Sequence, residues 1–504
     1  MTPAPPLVPA PLEAHAPGGD AFVLDADSVV VAPEGAVPQA HAVARTLGLL
    51  CGVDLPVRTS DDGGPGAVVL ELVDDPSLLG LTSEHGTAED VTAARAAGAY
   101  RLVVHPDRVV VSALTPAGLV HGCATLAQAA RRGGDGTVQI PALTVRDVPR
   151  FGWRGLSLDV ARHFLDVPTV LAVVDLLASL KLNVLHLHLT DDQGWRLEIP
   201  SRPLLTEVSG RTAVDGDPGG WYSVADFQRI VTYAAARGIT VVPEIDLPGH
   251  VNAALHAYGE LTPSGEAPPA YTGIEVGFSR LHAEVAATGP FLDSVLRDVA
   301  AQTPGPYVHL GGDEVLEMGA SEYRHLLQVA ARRVRAAGKT VVGWQEVARA
   351  DLGPDTVIQY WTHEQSADEV AAAVAHGASL LLSPGRRVYL DMKYDATTAL
   401  GLSWAGHIEL RDAYEWDPLA EVPGVPEVSI VGIEAAIWSE TVHDLDELTF
   451  LLLPRLAAVA ELAWSAPERL GWAGFSDRVR GLTTGWDAAG LTWYRSPQVD
   501  WDAG

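Results

Sequence analysis

Along the chain, the rhythm of apolar and polar positions changes near Pro149. From Phe151 onward, strand-like apolar runs recur: WRGLSLDVAR, LNVLHLHLTDD, ITVVPEIDLPGH, YVHLGGDE, KTVVGWQE, TVIQYW, ASLLLSP with the nearby VYLD, and VSIVGIEAAIWSE. Stretches of helical period separate them, including VPTVLAVVDLLASLK, VADFQRIVTYAAARG and EYRHLLQVAARRVRAAG. The last two close on Gly238 and Gly338, the residue type that best adopts the left-handed conformation just past a helix end. Near-continuous apolar strands alternating with helices predict a parallel sheet buried on both faces. Eight such alternations predict a (β/α)8 TIM barrel over residues 150–504. An open doubly wound sheet would want a Gly-rich phosphate loop after its first strand, and WRGLSLDVAR is not followed by one.

Upstream, the pattern predicts a small α+β domain over residues 21–149. AFVLDADSVVVAP reads as a hairpin, VPQAHAVARTLGLLCG and PAGLVHGCATLAQAARRGG as helices, and GAVVLELVDD as a strand. AYRLVVHPDRVVVSA reads as a second hairpin, followed by strand-like TVQIPALTVRDVP. Residues 1–20, rich in Pro and Ala, read as a flexible N-terminal lead-in.

Composition narrows the partners more than the fold. With 47% hydrophobic and 19% charged residues, the chain has material for large cores and no mark of disorder. Its formal net charge of −30 argues against nucleic acid or an anionic membrane surface as a partner. Two cysteines, Cys51 and Cys123, make no disulfide framework and lack zinc-site spacing, so both are expected to be buried, inert thiols. MTPAPPLVPAPLEAHAPGG has neither a basic nor an apolar signal region, so the expected location is cytoplasmic, unless the sequence is a trimmed, secreted form. Oligomeric state leaves no trace in the sequence.

Barrel enzymes build their sites at the C-terminal ends of the strands. Here those ends carry Arg162, Asp191, Asp246 with His250, Asp313 with Glu314, Trp344, Trp361, Asp391, and Trp438 with Glu440. Carboxylates and tryptophans together suit sugar chemistry. One acid protonates a leaving oxygen, negative charge balances an oxocarbenium-like centre, and indole faces stack on pyranose rings. Asp313 and Glu314 are sequence neighbours and would point to opposite faces of a continuing strand. Both can reach one pocket only if the strand ends or bulges there, which Gly311 and Gly312 would permit.

The set DVARHF, HLHLTDDQGWR, EIDLPGH and HLGGDE, in this order along the chain, resembles the signature of glycoside hydrolase family 20, the β-N-acetylhexosaminidases. The resemblance runs from about Phe151 to the C-terminus, and the preceding domain is similar to that family's N-terminal partner. It implies hydrolysis of terminal N-acetylhexosamine from an oligosaccharide or glycoconjugate. The substrate's own 2-acetamido oxygen would be the nucleophile, with no metal or organic cofactor. It implies Glu314 as general acid then base, Asp313 as partner of the acetamide N–H, and Tyr389 as donor to the acetamide oxygen. Arg162, Asp391 and Glu440 would bind sugar hydroxyls. Trp344, Trp361 and Trp438 would wall the acetamide pocket, with Trp404 under the next sugar. Asp191 and His250 would orient Glu314, the Asp191 carboxylate also raising the Glu314 pKa. Trp153, Trp464 and Trp486 are expected in cores.

Two alternatives stand beside this reading. His186 and His188 form a His-x-His pair on one strand face that could ligate zinc in a metal-dependent barrel hydrolase. The expectation is that they pack and hydrogen-bond inside the barrel instead. A non-catalytic sugar-binding protein on the same fold is the other alternative.

Overall fold

The computed structural model describes residues 5–59, 64–80, 93–133, 137–362 and 367–502. Residues from Trp153 to Ile437 contain a closed barrel of eight parallel strands in sequence order. These are β1 (Trp153–Asp159), β2 (Val184–His188), β3 (Thr240–Glu244), β4 (Tyr307–His309), β5 (Thr340–Trp344), β6 (Val357–Tyr360), β7 (Ser379–Leu382) and β8 (Ile430–Ile437). The barrel closes by pairing β8 with β1, Gly432 opposite Trp153, where a Cβ on Gly432 would collide with the Trp153 carbonyl. Apolar residues seal the N-terminal end: Trp153, Val184, Val242, Val342, Val357 and Leu381 form one buried cluster.

The connecting helices start and stop where local chemistry dictates. Asp166 caps the helix Val167–Ser179 through the Thr169 amide, and Pro168 occupies its first turn. Ser223 and Asp226 make a reciprocal capping box for Val224–Ala235. Gly238 and Gly338 take positive φ values of 70° and 74° just past their helices. One alternation departs from the predicted pattern. Between β5 and β6 there is only a 3-10 run, Gln345–Ala350, because the short connection turns at once through Asp351 and Gly353, both at positive φ. VYLD is likewise not part of β7. A helical turn, Gly385–Val388, intervenes, and Tyr389 bridges to Ala436 beside β8.

The small domain is a seven-stranded mixed sheet plus a separate three-stranded one. The helices Val37–Cys51 and Pro116–Ala129 pack on each other and on the larger sheet, and Pro116–Ala129 also touches Val167–Ser179 of the barrel. AYRLVVHPDRVVVSA is the expected hairpin, Tyr100–Val104 against Arg108–Ala113. AFVLDADSVVVAP is not a hairpin. Val29, Val30 and Val31 are all buried, so this strand takes a neighbour on each side, pairing in parallel with Val57–Arg58 and Ala67–Leu72. Phe22–Leu24 pairs instead with Val138–Ile140 in the three-stranded sheet. Cys123 is buried as expected, which pushes its thiol up to about 12, whereas Cys51 is only half-buried at its helix end.

Nor is the N-terminus a flexible lead-in over its described part. Leu7 joins the small-domain core and Val8 the barrel core. The Ala10 amide donates to Glu461 (3.0 Å), and Glu13–His15 pairs antiparallel with Leu143–Asp147. Pro and Ala hide periodicity without removing the drive to bury apolar surface.

Asp147 joins the two parts of the chain. Its buried carboxylate accepts from Tyr100 Oη (2.8 Å), Lys181 Nζ (3.1 Å), Trp464 Nε1 (3.0 Å) and the Leu12 amide (3.0 Å). Lys181 and Arg154 both lie over the Trp464 ring, at 4.7 and 4.8 Å from its centroid. Trp153, Trp464 and Trp486 are all buried, as expected. Asp147→Asn leaves Lys181 buried without its counter-charge and should destabilise the chain by about 3–5 kcal/mol, read by chemical denaturation. Asp147→Asn with Lys181→Met should recover most of that loss. A single variant of unchanged stability would mean that this pair does not hold the interface.

Candidate active site

The barrel interior is polar towards its C-terminal mouth. His186 and His188 on β2, Glu244 on β3, His309 on β4, Trp344 on β5, Gln359 on β6 and Glu434 on β8 all point inward and are buried. Glu244 accepts from His188 Nδ1 (2.5 Å) and Trp344 Nε1 (2.9 Å) and lies at ion-pair distance from His186 Nε2 (3.1 Å) and His309 Nδ1 (2.8 Å), the latter also facing the Gly311 amide (3.0 Å). Glu434 receives His186 Nδ1 (2.9 Å), Gln359 Nε2 (2.9 Å) and Trp153 Nε1 (2.7 Å). Burial by itself would raise the Glu244 pKa, but the facing His309, His188 and His186 outweigh it and hold the carboxyl well below its usual range. Burial likewise works against charge on His186, yet Glu244 and Glu434 lift it to about 9. His186 and His188 thus face carboxylates inside the barrel, the packed role expected of them.

A chain of alternating charge leads from this plug to the mouth. His188 Nε2 meets Asp191 Oδ2 (2.8 Å), which Arg162 Nη2 also reaches (2.8 Å). Asp191 Oδ1 meets His250 Nδ1 (3.1 Å), and His250 Nε2 faces Glu314 Oε2 (3.4 Å) and Asp313 Oδ2 (3.7 Å). Burial opposes charge on both Asp191 and His250. Arg162 and His250 nevertheless hold the Asp191 pKa well down, and Asp191 with Glu314 holds His250 well up. Asp191 therefore does not press on Glu314 as a bare carboxylate. The group that faces Glu314 is His250, held as a cation by Asp191.

Asp313 and Glu314 reach one pocket because β4 ends early, at His309. Gly311 and Gly312 then turn the chain at φ 65° and 102°, and Glu314 itself sits at φ 50°. A Cβ on Gly311 would land inside the Asp246 carboxylate, and one on Gly312 would lie 2.7 Å from Val347. Glycine is required at both positions. A left-handed non-glycine backbone costs about 1–3 kcal/mol and persists only when its surroundings enforce it. Asp313 lies deeper, its side chain 14% exposed against 32% for Glu314. Burial pushes the Asp313 carboxyl up to about 6, with His250 partly opposing.

Aromatic rings line the rest. The Trp361 and Tyr389 rings are nearly parallel, 6.3 Å apart, and Trp404 stands edge-on to both at the exposed rim. Trp438 lies 5.8 Å from Trp344 and 5.9 Å from Tyr389, and Arg162 sits over its ring at 5.0 Å. Burial, then Asp313, raises the Tyr389 pKa well above its usual value, so its hydroxyl stays a donor. Asp391 is buried with neither carboxylate oxygen hydrogen-bonded, and Glu440 Oε2 is also without a partner. Burial raises both, and Glu440 adds to the effect on Asp391. Such acceptors suit hydroxyl donors from a ligand.

All twelve residues singled out from the sequence therefore converge on one mouth. Arg162 is already committed to Asp191 and, at 3.4 Å, to Asp159. Three groups of the site were not singled out. Glu244 closes β3 and Glu434 lies within β8, each inside an apolar run where no local pattern distinguishes a polar plug from a packing defect. Glu346, two residues past Trp344, accepts from Trp361 Nε1 (3.3 Å), and burial with Asp313 nearby lifts its carboxyl to about 8. Asp246, recognised only as a strand end, accepts from the Gly312 amide (3.2 Å), and burial with Asp313 behind it keeps its pKa well up.

The chain matches the glycosyl hydrolase family 20 catalytic domain over residues 151–467 and domain 2 of that family over residues 4–148. It is 54% identical to a beta-N-acetylhexosaminidase of Cellulomonas fimi, over 98% of this chain and 97% of that protein. A GH20 beta-N-acetylhexosaminidase structure from Streptomyces coelicolor A3(2) superposes with a TM-score of 0.90 at 40% identity, covering 99% of each chain. A Streptomyces plicatus N-acetyl-beta-hexosaminidase in complex with Thio-NAglucal gives 0.89 at 39% identity, over 99% of this chain and 98% of that one. The ordered motifs, the mouth they build and full-length similarity lead to one conclusion: this chain belongs to glycoside hydrolase family 20.

Proposed function

We propose that the chain is an exo-acting β-N-acetylhexosaminidase, releasing terminal non-reducing N-acetylglucosamine or N-acetylgalactosamine with retention of configuration. The observation that carries the division of labour is the difference in depth between two adjacent carboxylates. Asp313 is the deeper, beside Tyr389, whereas Glu314 is nearer the mouth and faces His250.

In the first step the acetamide carbonyl oxygen of the bound sugar attacks the anomeric carbon. The glycosidic C–O bond breaks, and the Glu314 carboxyl gives its proton to the leaving oxygen. Asp313 accepts the acetamide N–H and balances the positive charge of the resulting oxazolinium ring. The Tyr389 hydroxyl donates to the acetamide oxygen and aims it. Holding an internal nucleophile in line contributes several kcal/mol of the rate gain. The Glu314 carboxylate, steadied by the His250 cation, then takes a proton from water. That water adds to the anomeric carbon and reopens the ring, and two inversions give net retention. Trp344, Trp361 and Trp438 enclose the acetamide, Trp404 carries the following sugar, and Arg162, Asp391 and Glu440 bind the outer hydroxyls.

Hydrolysis of an aryl N-acetyl-β-glucosaminide tests this directly. Glu314→Gln should lower kcat by about 10²–10⁴-fold, and the matching β-glucoside, which lacks the acetamide, should not be turned over. Equal turnover of the glucoside would sink the substrate-assisted route.

Asp391→Asn separates binding from folding. Asp391, Glu440, Asp313 and Glu346 all have folded pKa values raised above the ordinary carboxylate range. Each therefore lowers stability as pH rises through that folded value. His250 and His188, also raised, contribute stability that is likewise lost on the alkaline side. The unliganded protein should melt higher at pH 5.5 than at pH 8. Asp391→Asn should raise the Tm at pH 8, narrow that difference and raise KM. A variant with lower Tm at pH 8 would contradict the assignment of Asp391 as a destabilising, ligand-directed acceptor.

A further inference from the structure

At the outer edge of the mouth, three loops bring together groups that the hydrolytic chemistry does not use. His163 follows Arg162 after β1, Asp217 belongs to the loop after β2, and His443 follows Glu440 after β8. His163 Nε2 lies 3.7 Å from Asp217 Oδ2, and His443 Nε2 lies 3.8 Å from the same oxygen. The two imidazole centroids are 4.3 Å apart. One donor atom from each of the three residues falls within 4.8 Å of the others.

The far side of each ring decides which nitrogen is free. His163 Nδ1 is 2.6 Å from the Ser439 carbonyl, which can only accept, so Nδ1 carries the proton. His443 Nδ1 is 2.9 Å from Glu447 Oε2, and the same oxygen accepts the His443 amide at 2.8 Å. Both rings are therefore held as Nδ1–H tautomers, with the Nε2 lone pairs turned towards Asp217. A ring N–H tied to a carbonyl or carboxylate is the usual support of a metal-binding histidine. His163 has a side chain only 5% exposed, and its Nε2 has no hydrogen-bond partner. At 3.7 and 3.8 Å the contacts to Asp217 are too long for hydrogen bonds. They lie within a few tenths of an ångström of the ~3.4 Å ligand–ligand edge of a tetrahedral zinc site, given metal–ligand bonds of about 2.1 Å.

We propose that His163, His443 and Asp217 form a binding site for a zinc-class divalent cation, with Nε2, Nε2 and a carboxylate oxygen as ligands and water in the fourth position. Imidazole and carboxylate donors favour zinc, nickel or cobalt over calcium or magnesium. The half-exposed His443 and Asp217 side chains leave the ion an entry path. The bound cation ties the three loops together. The Val214 amide donates to the Arg162 carbonyl (2.9 Å), which fastens the Asp217 loop to the segment bearing Arg162. The His163 amide donates to Ser439 Oγ (3.0 Å), between Trp438 and Glu440. The site is thus a clamp on segments that carry sugar-binding side chains, at a place separate from Asp313 and Glu314.

Titration calorimetry of the full chain with Zn²⁺, and the visible spectrum of the Co²⁺ form, test this without measuring activity. The expected result is about one equivalent bound, an intense tetrahedral Co²⁺ spectrum and a raised Tm, all lost in His443→Ala and in Asp217→Asn. Both substitutions fall on half-exposed side chains, so folding should survive. Glu447→Gln, which touches no metal, should weaken affinity about 10–100-fold by releasing the His443 ring. Zn²⁺ uptake by the wild type equal to that of His443→Ala would overturn the proposal, as would a Co²⁺ spectrum unchanged by Asp217→Asn. Either result would leave the hydrolase reading untouched.

Discussion

Glu244 occupies the centre of the barrel with its oxygens shared among three imidazoles and one indole, and the mouth is built outward from that arrangement. A carboxylate or imidazolium taken from water into a barrel core is costly unless every charge meets its opposite at hydrogen-bond distance. The interior meets that demand by alternation. Glu434, His186, Glu244, His188, Asp191 and His250 follow one another in a continuous line of contacts. The line ends on Glu314, so a residue at the mouth inherits its electrostatic surroundings from a group on the far side of the barrel core. This also accounts for the burial of His186 and His188, which a reading limited to their spacing would take as metal ligands.

The mouth itself breaks the rule that the interior obeys. Asp391 and Glu440 hold carboxylate oxygens without donors, Asp313 Oδ1 is similarly unpaired, and Glu314 and His250 adopt left-handed backbone conformations. Each feature lowers the stability of the unliganded protein and is tolerated because the charges of the plug beneath face their opposites. Polar acceptors that water cannot satisfy are in turn what allows a sugar hydroxyl or amide to bind with selectivity.

The small domain contributes to this through rigidity. Asp147, at its last strand, gathers Tyr100 from its own sheet, Lys181 from the loop before β2 and Trp464 from the helix after β8. The first and last parts of the barrel are thereby fastened to one carboxylate at the end opposite the mouth. The N-terminal residues Leu7, Val8 and Ala10 add apolar contacts across the same seam, and the Ala10 amide donates a hydrogen bond to Glu461.

Much of this was legible in the amino-acid sequence because it rests on local rules. Apolar periodicity marks the eight strands, the glycines at 238 and 338 mark helix ends, and Gly311–Gly312 announces that the chain can turn before Asp313 and Glu314. Residue type at strand ends marked ten of the twelve residues that converge on the mouth, and the family resemblance added Tyr389 and Trp404. What sequence could not decide is anything set by a partner distant in the chain. The all-valine strand at residues 29–31 pairs with residues far ahead of it and not with Phe22–Leu24, and the Pro- and Ala-rich start is ordered by cores it cannot form alone. Asp191 contacts His250, which in turn faces Glu314, and Glu244, Glu346 and Asp246 join the site only because eight strands close into a ring. Local propensity belongs to a segment, whereas the environment of a buried charge belongs to the whole barrel. So the sequence named Asp313 and Glu314, and only the tertiary structure separated their depths and gave each a different electrostatic neighbour.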